Sequence, residues 1–397
     1  MKQIVWIWTF ALLTAGTAEA KVRRVNNDSG ILPVSGLIYT TVTAAVGAAD
    51  EGDTIHIEGS VTPYTGDVTV DKRLVIIGPG YFLSATPQTQ YLKQPARINA
   101  NITFAAGSES STLAGVEQVT GALSTSAILA NPATYAGNRV IINADTIKII
   151  NCRLFYVQIE NTYPQSPAKA LYNTSIQKCF FLPGVVTVTG ANTVTNLSIT
   201  NCFFRNDDNT TNFQRVVIDG RGASQTAYPL ANVRISNNTF FGSFQVFIRN
   251  ASLAGNVFFQ GSTADNGSGY NNGTALVENS VTNNYMSNVM NVAVGGMTNG
   301  ANGNKIITAN SAELLGKWFS RAGSDPFKDI FYTSATNTAD CPLRGDDPSN
   351  DTAQKGMYGG GTPYVPSGMF KIPSVYDIVM DSEVGDQFDM TIHARVH

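Results

Sequence analysis

One short phrase recurs between Ile147 and Asn310, and it constrains the fold more than any other feature of the sequence. Each copy begins with Cys or Asn, and a large apolar residue follows two positions later, as in Cys152-Arg153-Leu154. Most copies come directly after a short run of alternating apolar and polar residues, which is typical of a half-buried β-strand. The copies begin at Cys152, Cys179, Cys202, Asn238, Asn256 and Asn284. A strand that is followed repeatedly by the same phrase predicts a coiled β repeat.

The spacing of the copies predicts how the coils differ from one another. Successive copies lie 27, 23, 36, 18 and 28 residues apart, and the shortest interval defines a minimal coil. Because strand stacking fixes the rest of each coil, the longer intervals contain insertions. We place these insertions at Asn161–Asn173, Arg205–Ala231 and Gln260–Thr274. The pattern is weak between Ala96 and Val140, where we expect irregular coils of unassigned register.

The phrase itself is interpreted as an interior corner of the coil. Asn and Gly adopt left-handed backbone conformations more readily than other residues, so they suit corners between strands. Asn side chains that stack at one corner can also hydrogen-bond to the backbone of the next coil. The role predicted for the phrase is therefore packing rather than chemistry.

Composition and the first residues indicate an exported protein. Only 14% of the residues are charged, and the formal net charge is −3 without basic runs, which argues against nucleic acid as a partner. Lys2, the apolar run Ile4–Leu13 and the small residues of Ala18-Glu19-Ala20 predict a signal peptide cleaved after Ala20. No later stretch has the roughly 20 apolar residues that a transmembrane helix needs.

The stretch from Tyr39 to Gly80 is expected to cap and begin the coil. Tyr39–Ala49 has apolar residues at helical spacing, and strands are predicted at Thr54–Ile57, Asp67–Val70 and Leu74–Ile77. A short helix in this place would cover the apolar end of a β stack.

This stretch resembles the entry into right-handed parallel β-helices. The resemblance rests on Ala44-Ala45, Asp50-Glu51-Gly52-Asp53-Thr54-Ile55, Asp71-Lys72 and Ile77-Gly78. That superfamily includes pectate lyases, pectin methylesterases and many bacterial surface proteins of unassigned activity. The resemblance implies the fold and carries no single activity with it.

The C-terminal part resembles the ending of secreted parallel β-helix proteins of the Bacteroidota. The resemblance lies in Asp351, the turn Gly356-Met357-Tyr358-Gly359-Gly360 and the pair Pro363-Tyr364. The Ser-Pro-Ala phrase usual in those proteins is missing upstream. Before this part, Ser311–Phe319 predicts a short helix that closes the stack, and after it Ile372–Tyr376 and Phe388–Val396 predict a terminal β-hairpin.

The expected architecture is an all-β chain: a right-handed parallel β-helix solenoid with an N-terminal helical cap and a small C-terminal β extension. The expected domains are a signal peptide at 1–20, the capped β-helix at 21–320, an irregular Gly/Asp/Pro-rich segment at 321–371 and the hairpin at 372–397.

Four cysteines in an exported chain invite a disulfide interpretation. Cys152, Cys179 and Cys202 occupy the same place in successive coils, so we expect them to stack as buried small apolar residues. A Cys179–Cys202 disulfide is the alternative, since neighbouring strands are only about 4.8 Å apart. Cys341 lies far from the repeat and is expected to be free.

Aromatic residues in the insertions are candidate ligand-binding residues. With Asn and Asp nearby they would suit sugar rings. The alternative is that they pin their own loops to the coil. They are Tyr163, Tyr172, Phe213, Tyr228 and Tyr270.

Candidate catalytic and metal-binding residues lie in the longest interval. The three His, at 56, 393 and 397, lie outside the repeat, which leaves little material for a zinc site or a Ser–His–Asp triad. Asp219 and Arg221 follow a strand and could contact a uronate substrate or form a salt bridge. Asp207 and Asp208 could hold calcium or form a solvated turn; no other cofactor is expected.

The sequence favours a non-catalytic, secreted or cell-surface protein that binds glycans or mediates adhesion. The competing hypothesis is a polysaccharide lyase or hydrolase that acts on an acidic glycan containing uronate. Expected partners are a polysaccharide or a cell-surface glycan. Self-assembly through the hairpin edge is a further hypothesis.

Overall fold

The structure is a computed structural model of the 397-residue chain. It describes residues 20–83, 93–119, 138–160, 170–189, 193–206, 216–220, 229–242, 245–249, 251–259, 280–282, 284–287, 301–307, 319–322, 330–333, 356–362, 364, 368, 373–380 and 390–396.

Three parallel sheets form the body of the protein. Sheet A contains eleven strands. In chain order they are Val22–Val25, Ile38–Tyr39, Thr54–Ile57, Val75–Ile77, Thr112–Ala114, Lys148–Ile150, Ser175–Gln177, Ser198–Thr200, Val233–Ser236, Ala251–Ala254 and Ser280–Thr282. Every pairing within this sheet is parallel, as in Ile149 opposite Ile176.

Sheet B contains fifteen strands and forms a second wall. They are Tyr64–Thr65, Val68–Val70, Arg97–Asn99, Ile102–Phe104, Glu117–Gln118, Val140–Ile142, Arg153–Ile159, Phe180–Val188, Phe203–Asn206, Val216–Asp219, Thr239–Gly242, Gln245–Phe247, Val257–Phe259, Tyr285–Ser287 and Lys305–Ile307. Sheet C is short and contains Leu171–Tyr172, Val194–Thr195 and Leu230–Ala231.

In the described ranges, the remaining elements are one helix, two short turns of 3-10 helix and two antiparallel pairs. The α-helix is Val42–Ala48, and the 3-10 turns are Ala301–Gly303 and Gly356–Tyr358. The antiparallel pairs join Phe319–Ala322 to Ile330–Thr333, and Pro373–Met380 to Met390–Val396.

The order of pairing makes the body a parallel β-helix, as the sequence predicted. Lys148–Ile150 in sheet A leads into Arg153–Ile159 in sheet B, and each pairs with the equivalent strand of the next coil rather than with the other. The chain therefore winds from sheet to sheet and rises by one strand per coil.

Two ladders of side chains fill the interior between the sheets. In sheet A an aliphatic ladder, each member at most 1% exposed, runs through Ile55, Ile76, Leu113, Ile149, Ile176, Ile199, Ile235 and Leu253. In sheet B the rings of Phe181, Phe204, Phe240 and Phe258 stack with centroids 4.6–5.0 Å apart. Equal spacing of strands brings like residues into contact, which explains why the sequence repeats them.

The recurring phrase forms the corner between sheets A and B, as predicted. The residue before each of the first five copies has a left-handed backbone, with φ between 53° and 66° at Asn151, Lys178, Asn201, Asn237 and Gly255. A second left-handed corner precedes sheet A at Thr146, Asn173, Asn196 and Asn232.

The first residue of each phrase points into the corner and forms a ladder there. The backbone N–H groups of Cys202, Asn238, Asn256 and Asn284 donate to the side-chain oxygens of Asn238, Asn256, Asn284 and Asn304, each at 2.9 Å. Asn304 is therefore a further copy of the phrase. Cys152, Cys179 and Cys202 occupy the same ladder as buried free thiols, which excludes a Cys179–Cys202 disulfide.

The N-terminal cap differs in detail from the prediction. The helix begins at Val42, because Thr41 is its N-cap and Tyr39 belongs to a sheet A strand. The helix buries Val42, Ala45 and Val46 against the first coil. Val22–Val25, for which the sequence pattern gave no strand, is a strand that pairs with Thr54–Ile57.

Two other expectations need correction. The described residues of Ala96–Val140 form regular coils, since Arg97–Asn99 and Ile102–Phe104 pair in register with sheet B neighbours. Two of the expected insertions, Asn161–Asn173 and Arg205–Ala231, are also shorter than predicted, and the third, Gln260–Thr274, lies outside the described residues. Leu171–Tyr172, Val216–Asp219 and Leu230–Ala231 are strands of the coil itself. Of the expected helix Ser311–Phe319, residues 311–318 lie outside the described residues, and Phe319 begins a strand.

Candidate functional site

Asp219 lies on the outer face of sheet B, in line with polar residues of neighbouring coils. Gln158, Thr187 and Asp219 are directly opposite one another on three adjacent strands. Their neighbours Val157, Val186 and Ile218 are buried in the core. Because side chains alternate along a strand, Gln158, Thr187 and Asp219 face outward. We call this cross-strand set the Asp219 row.

A β-bulge places a tyrosine beside this row. The register between Arg153–Ile159 and its neighbour shifts between Leu154 and Tyr156. Phe155 and Tyr156 both lie outside the core cluster that holds Leu154 and Val157. The Tyr156 hydroxyl lies 3.0 Å from Thr187 Oγ1, within hydrogen-bonding distance. The bulge therefore directs a buried phenol toward the row.

Arg139 and Glu160 complete the polar cluster. Arg139 Nη1 donates to Gln158 Oε1, and the Arg139 guanidinium lies 5.7 Å from the centre of the Tyr156 ring. The Gln158 amide nitrogen donates to Glu160 Oε1 and also to Thr189 Oγ1, the latter at 3.3 Å. Arg139, Glu160 and Asp219 are partly exposed, whereas Gln158, Thr187 and Tyr156 are buried, so Asp219 is the accessible member of the row.

The charges of this cluster act on Tyr156. Burial raises the pKa of the Tyr156 phenol, and the carboxylates of Asp219 and Glu160 raise it further. The Thr187 hydrogen bond and the Arg139 cation oppose that rise. Tyr156 is therefore a neutral hydrogen-bonding group at physiological pH. The three charged side chains that affect the pKa of Tyr156 come from different coils.

The arrangement supplies several kinds of hydrogen-bonding group at one surface. Carboxylates accept hydrogen bonds from hydroxyls, and a guanidinium donates to oxygens. Two carboxylates near one another are also the raw material of glycoside hydrolysis. A ligand rich in hydroxyl groups fits this set of donors and acceptors.

The adjacent part of the same face is closed by the chain itself. Arg153 forms a largely buried ion pair with Glu117 and stacks over the Phe82 ring at 5.5 Å. Phe180 and Phe203, which also face outward, are each 1% exposed because aromatic residues cover them.

The described residues between Gly356 and Gly368 contribute to that cover. Met357 N–H donates to Thr239 Oγ1 at 2.9 Å, and Gly356 N–H donates to the Gly255 carbonyl at 2.7 Å. The Tyr81 hydroxyl donates to the Tyr364 hydroxyl at 3.0 Å. The described part of the segment whose sequence resembled a family ending is thus docked on the side of the coil.

The other predicted site residues are not brought together with Asp219 in the described structure. Tyr172 is 42% exposed, but it belongs to sheet C, a different wall of the coil. Arg221, Asp207, Asp208, Tyr163, Phe213, Tyr228 and Tyr270 lie outside the described residues. Within the described ranges, no group of three or more His, Cys, Asp or Glu could hold a metal ion.

Sequence reasoning missed Arg139, Tyr156, Gln158 and Glu160. The alternation of inward and outward side chains along Arg153–Glu160 could have shown that Gln158 and Glu160 lie on the same outward face of the strand. The position of Tyr156 had no such signal, because the bulge interrupts the alternation.

A second concave site lies at the N-terminal end. It is a cavity of about 380 Å³ lined by Asn27, Asp28, Ser29, Gly30, Ser60, Val61, Thr62 and Gln94. Ser60 Oγ donates to Asp28 Oδ1 at 3.0 Å, and the Asn27 amide donates to the Thr62 carbonyl at 3.0 Å. Much of its polar lining is therefore bonded internally, and we place the candidate site at the Asp219 row instead.

Comparisons with models of protein families, with curated proteins and with solved structures returned no match. In the described part of the chain, no helix has the length and apolar character needed to cross a membrane.

Proposed function

We propose that this protein is an exported parallel β-helix that binds glycans, without cleaving them, at the Asp219 row. The observation that carries the proposal is the register of Gln158, Thr187 and Asp219 on adjacent strands. That register gives a line of polar groups about 4.8 Å apart on a rigid wall. A rigid, preorganised set of hydrogen-bonding groups is what sugar recognition needs.

The charges around the row favour a neutral or weakly charged glycan. Arg139 is engaged with Gln158 and with the Tyr156 ring, and the partly exposed Arg249 follows the strand residue opposite Asp219 by two positions. These two cations balance the two carboxylates of Glu160 and Asp219, so the described side chains give the row no net charge. Sugar hydroxyls can donate to the carboxylates and accept from the guanidinium groups.

Export supports glycan binding because an exported protein meets extracellular glycans. We propose export from the sequence pattern of Met1–Ala20, which has an apolar run and small residues before the cleavage point. We also propose that the chain is a right-handed, pectate-lyase-like member of the parallel β-helix proteins, on the strength of the motif between Val42 and Gly80.

A second candidate function is cleavage of a uronate polysaccharide. It is favoured by the convergence of Arg139, Glu160 and Asp219, which includes two carboxylates and one cation. Hydrolases pair two carboxyl groups across the scissile bond, and lyases use a basic group with bound cations. Calcium held by Asp207 and Asp208 belongs to this second hypothesis.

A glycan array probed with the full exported protein tests the binding proposal. We expect a defined subset of glycans to be bound, and binding to be lost in Asp219→Asn and Arg139→Gln. Asp71→Asn is the matched control, because Asp71 also follows a sheet B strand, in a distant coil, and carries the same charge. Absence of any bound glycan, or equal binding by all three variants, would contradict the proposal.

The same preparations separate binding from cleavage. They are incubated with uronate polysaccharides, and unsaturated products and reducing ends are followed with and without calcium. Products that disappear in Asp219→Asn and Glu160→Gln but persist in Asp71→Asn would replace the binding proposal with the catalytic one.

A further inference from the structure

Asp53 is a nearly completely buried carboxylate in the N-terminal cap, with 1% of its surface exposed. Its Oδ2 accepts hydrogen bonds from Arg23 Nε at 2.8 Å and from the Asp50 N–H at 2.9 Å. Its Oδ1 accepts from the backbone N–H of Lys21 at 2.8 Å. Burial alone would raise the pKa of Asp53, but these donated hydrogen bonds hold it below its usual value.

The first parallel strand pair fixes the position of the Lys21 nitrogen. Val22 lies opposite Thr54, and the Thr54 N–H donates to the Lys21 carbonyl at 2.8 Å. The nitrogen is therefore placed by residues that follow it in the chain. Ala20, the residue before it, is exposed. The bond between Ala20 and Lys21 thus joins an exposed residue to one whose backbone is tied into the sheet.

We propose that cleavage of the Ala20–Lys21 bond leaves the new α-ammonium of Lys21 paired with the buried Asp53 carboxylate, so that processing stabilises the mature fold. The inference rests on the proposed export, because Ala20 is the predicted cleavage position. Hydrolysis consumes one water, gives Ala20 a carboxylate and gives Lys21 an amine that is protonated at neutral pH.

Processing changes the chemistry of a contact that already exists. Before cleavage, Lys21 presents one neutral N–H to Asp53 Oδ1. After cleavage the same nitrogen carries a positive charge and three protons. The contact is charge-assisted before cleavage because the Asp53 carboxylate is ionised, and after cleavage both partners are charged. The added Coulomb attraction is strengthened because burial of Asp53 limits screening by solvent.

The neighbouring charges do not cancel this gain. Arg23, which also lies against Asp53, repels an added cation, and its Nη1 donates to the Tyr39 hydroxyl at 3.2 Å. Asp50 attracts the added cation, and the side-chain ammonium of Lys21 repels it. These side chains are 67% and 61% exposed, so solvent screens both effects. Direct contact with the buried Asp53 oxygen is the dominant interaction.

The pair has a defined pH dependence. An α-amino group has an ordinary pKa of about 7.7–8.0, and contact with Asp53 raises the pKa in the folded state. The added stability is therefore fully present below about pH 8 and is lost as the pH rises through the raised folded value.

The test compares two chains that differ by one residue, the first starting at Lys21 and the second at Ala20. In the second chain the ammonium moves outward and Lys21 again presents an amide. A rise of about one unit in the pKa of the α-amino group on folding corresponds to a tenfold change in the unfolding equilibrium constant. We therefore expect an unfolding constant about tenfold smaller for the first chain at pH 7. The difference should vanish at pH 11 and in the Asp53→Asn background.

If Asp53→Asn does not fold, the pH comparison of the two wild-type chains decides the question, together with the pKa of the α-amino group measured by ¹⁵N NMR. Equal stability of the two chains at pH 7, or an α-amino pKa at its ordinary value, would overturn the ion pair. These readouts do not involve glycans, so they are independent of the proposed binding. The intact mass of the exported protein tests the cleavage position separately, and a start other than Lys21 would overturn the processing step.

Discussion

The side-chain amide of Asn201 donates to the carbonyls of Met357 and Gly359, at 3.1 and 2.6 Å, across 156 and 158 residues of sequence. Asn201 therefore forms a corner of the coil and also anchors a distant C-terminal segment. Its backbone is left-handed, with φ of 54°, and its side chain is buried.

Replacing Asn201 by Gly should weaken this anchor without straining the corner, because Gly adopts positive φ readily. The Gly359 carbonyl would lose the Asn201 donor, and the Met357 carbonyl would keep only the Tyr364 N–H, so we expect a loss of about 1–3 kcal/mol in the free energy of unfolding, measured with urea. Asn196→Gly is the control. Asn196 is also left-handed, at φ of 59°, but its amide makes an exposed bond to Asn173. Equal losses for the two variants would contradict an anchoring role for Asn201.

Gly368 is predicted to be essential for the same docked segment. A Cβ at this position would lie 2.1 Å from the Tyr81 ring, and φ is +59°. Gly368→Ala should therefore displace the segment and accelerate cleavage of the C-terminal region in limited proteolysis. Gly361→Ala is the matched control, because a Cβ there meets no atom within 4 Å. Unchanged proteolysis of Gly368→Ala would argue against this packing.

Replacing an Asn of the corner ladder should lower the free energy of unfolding more than replacing a Cys of the same ladder. Asn256 donates to the Ile235 carbonyl at 2.9 Å and accepts from the Asn238 N–H at 2.9 Å. Asn256→Ala leaves these buried groups unpaired and should cost about 2–5 kcal/mol. Cys202→Ala removes a small apolar side chain and should cost about 1 kcal/mol. Denaturant unfolding of the two variants measures the contrast, and a larger loss for Cys202→Ala would refute it.

The buried cysteines should be unreactive in the folded protein. Burial raises the pKa of Cys152 and Cys179 well above the ordinary thiol value, so the reactive thiolate is scarce at neutral pH. In a Cys341→Ser background, a thiol reagent should label fewer than one cysteine per native chain and three after denaturation. Rapid labelling of all three in the native state would contradict their place in the core.

Much of the fold follows from the sequence because strand stacking repeats like residues at one position. The Cys and Asn phrase predicted the corner, and the structure places Cys202 directly beside Asn238 in one ladder. The strand Val22–Val25 was missed, because a four-residue strand shows its role only through its pairing with Thr54–Ile57.

The site could be predicted only in part, for physical reasons. Asp219 was found from its place after a strand, but its partners come from other coils whose register the sequence does not show. The bulge at Tyr156 moves a phenol beside Thr187, and no periodic pattern marks it. Likewise, the docking of Tyr364 on Tyr81 joins residues 283 positions apart.

The central claim is that the Asp219 row binds glycan, and one comparison tests it most directly. Titration calorimetry measures the dissociation constant of the glycan that binds most tightly on the array, for the wild type, Asp219→Asn and Asp71→Asn. A lost hydrogen bond to a charged group costs about 1.5–3 kcal/mol, so Asp219→Asn should bind at least about tenfold more weakly, while Asp71→Asn binds like the wild type. Equal dissociation constants for Asp219→Asn and Asp71→Asn would contradict the proposed binding site.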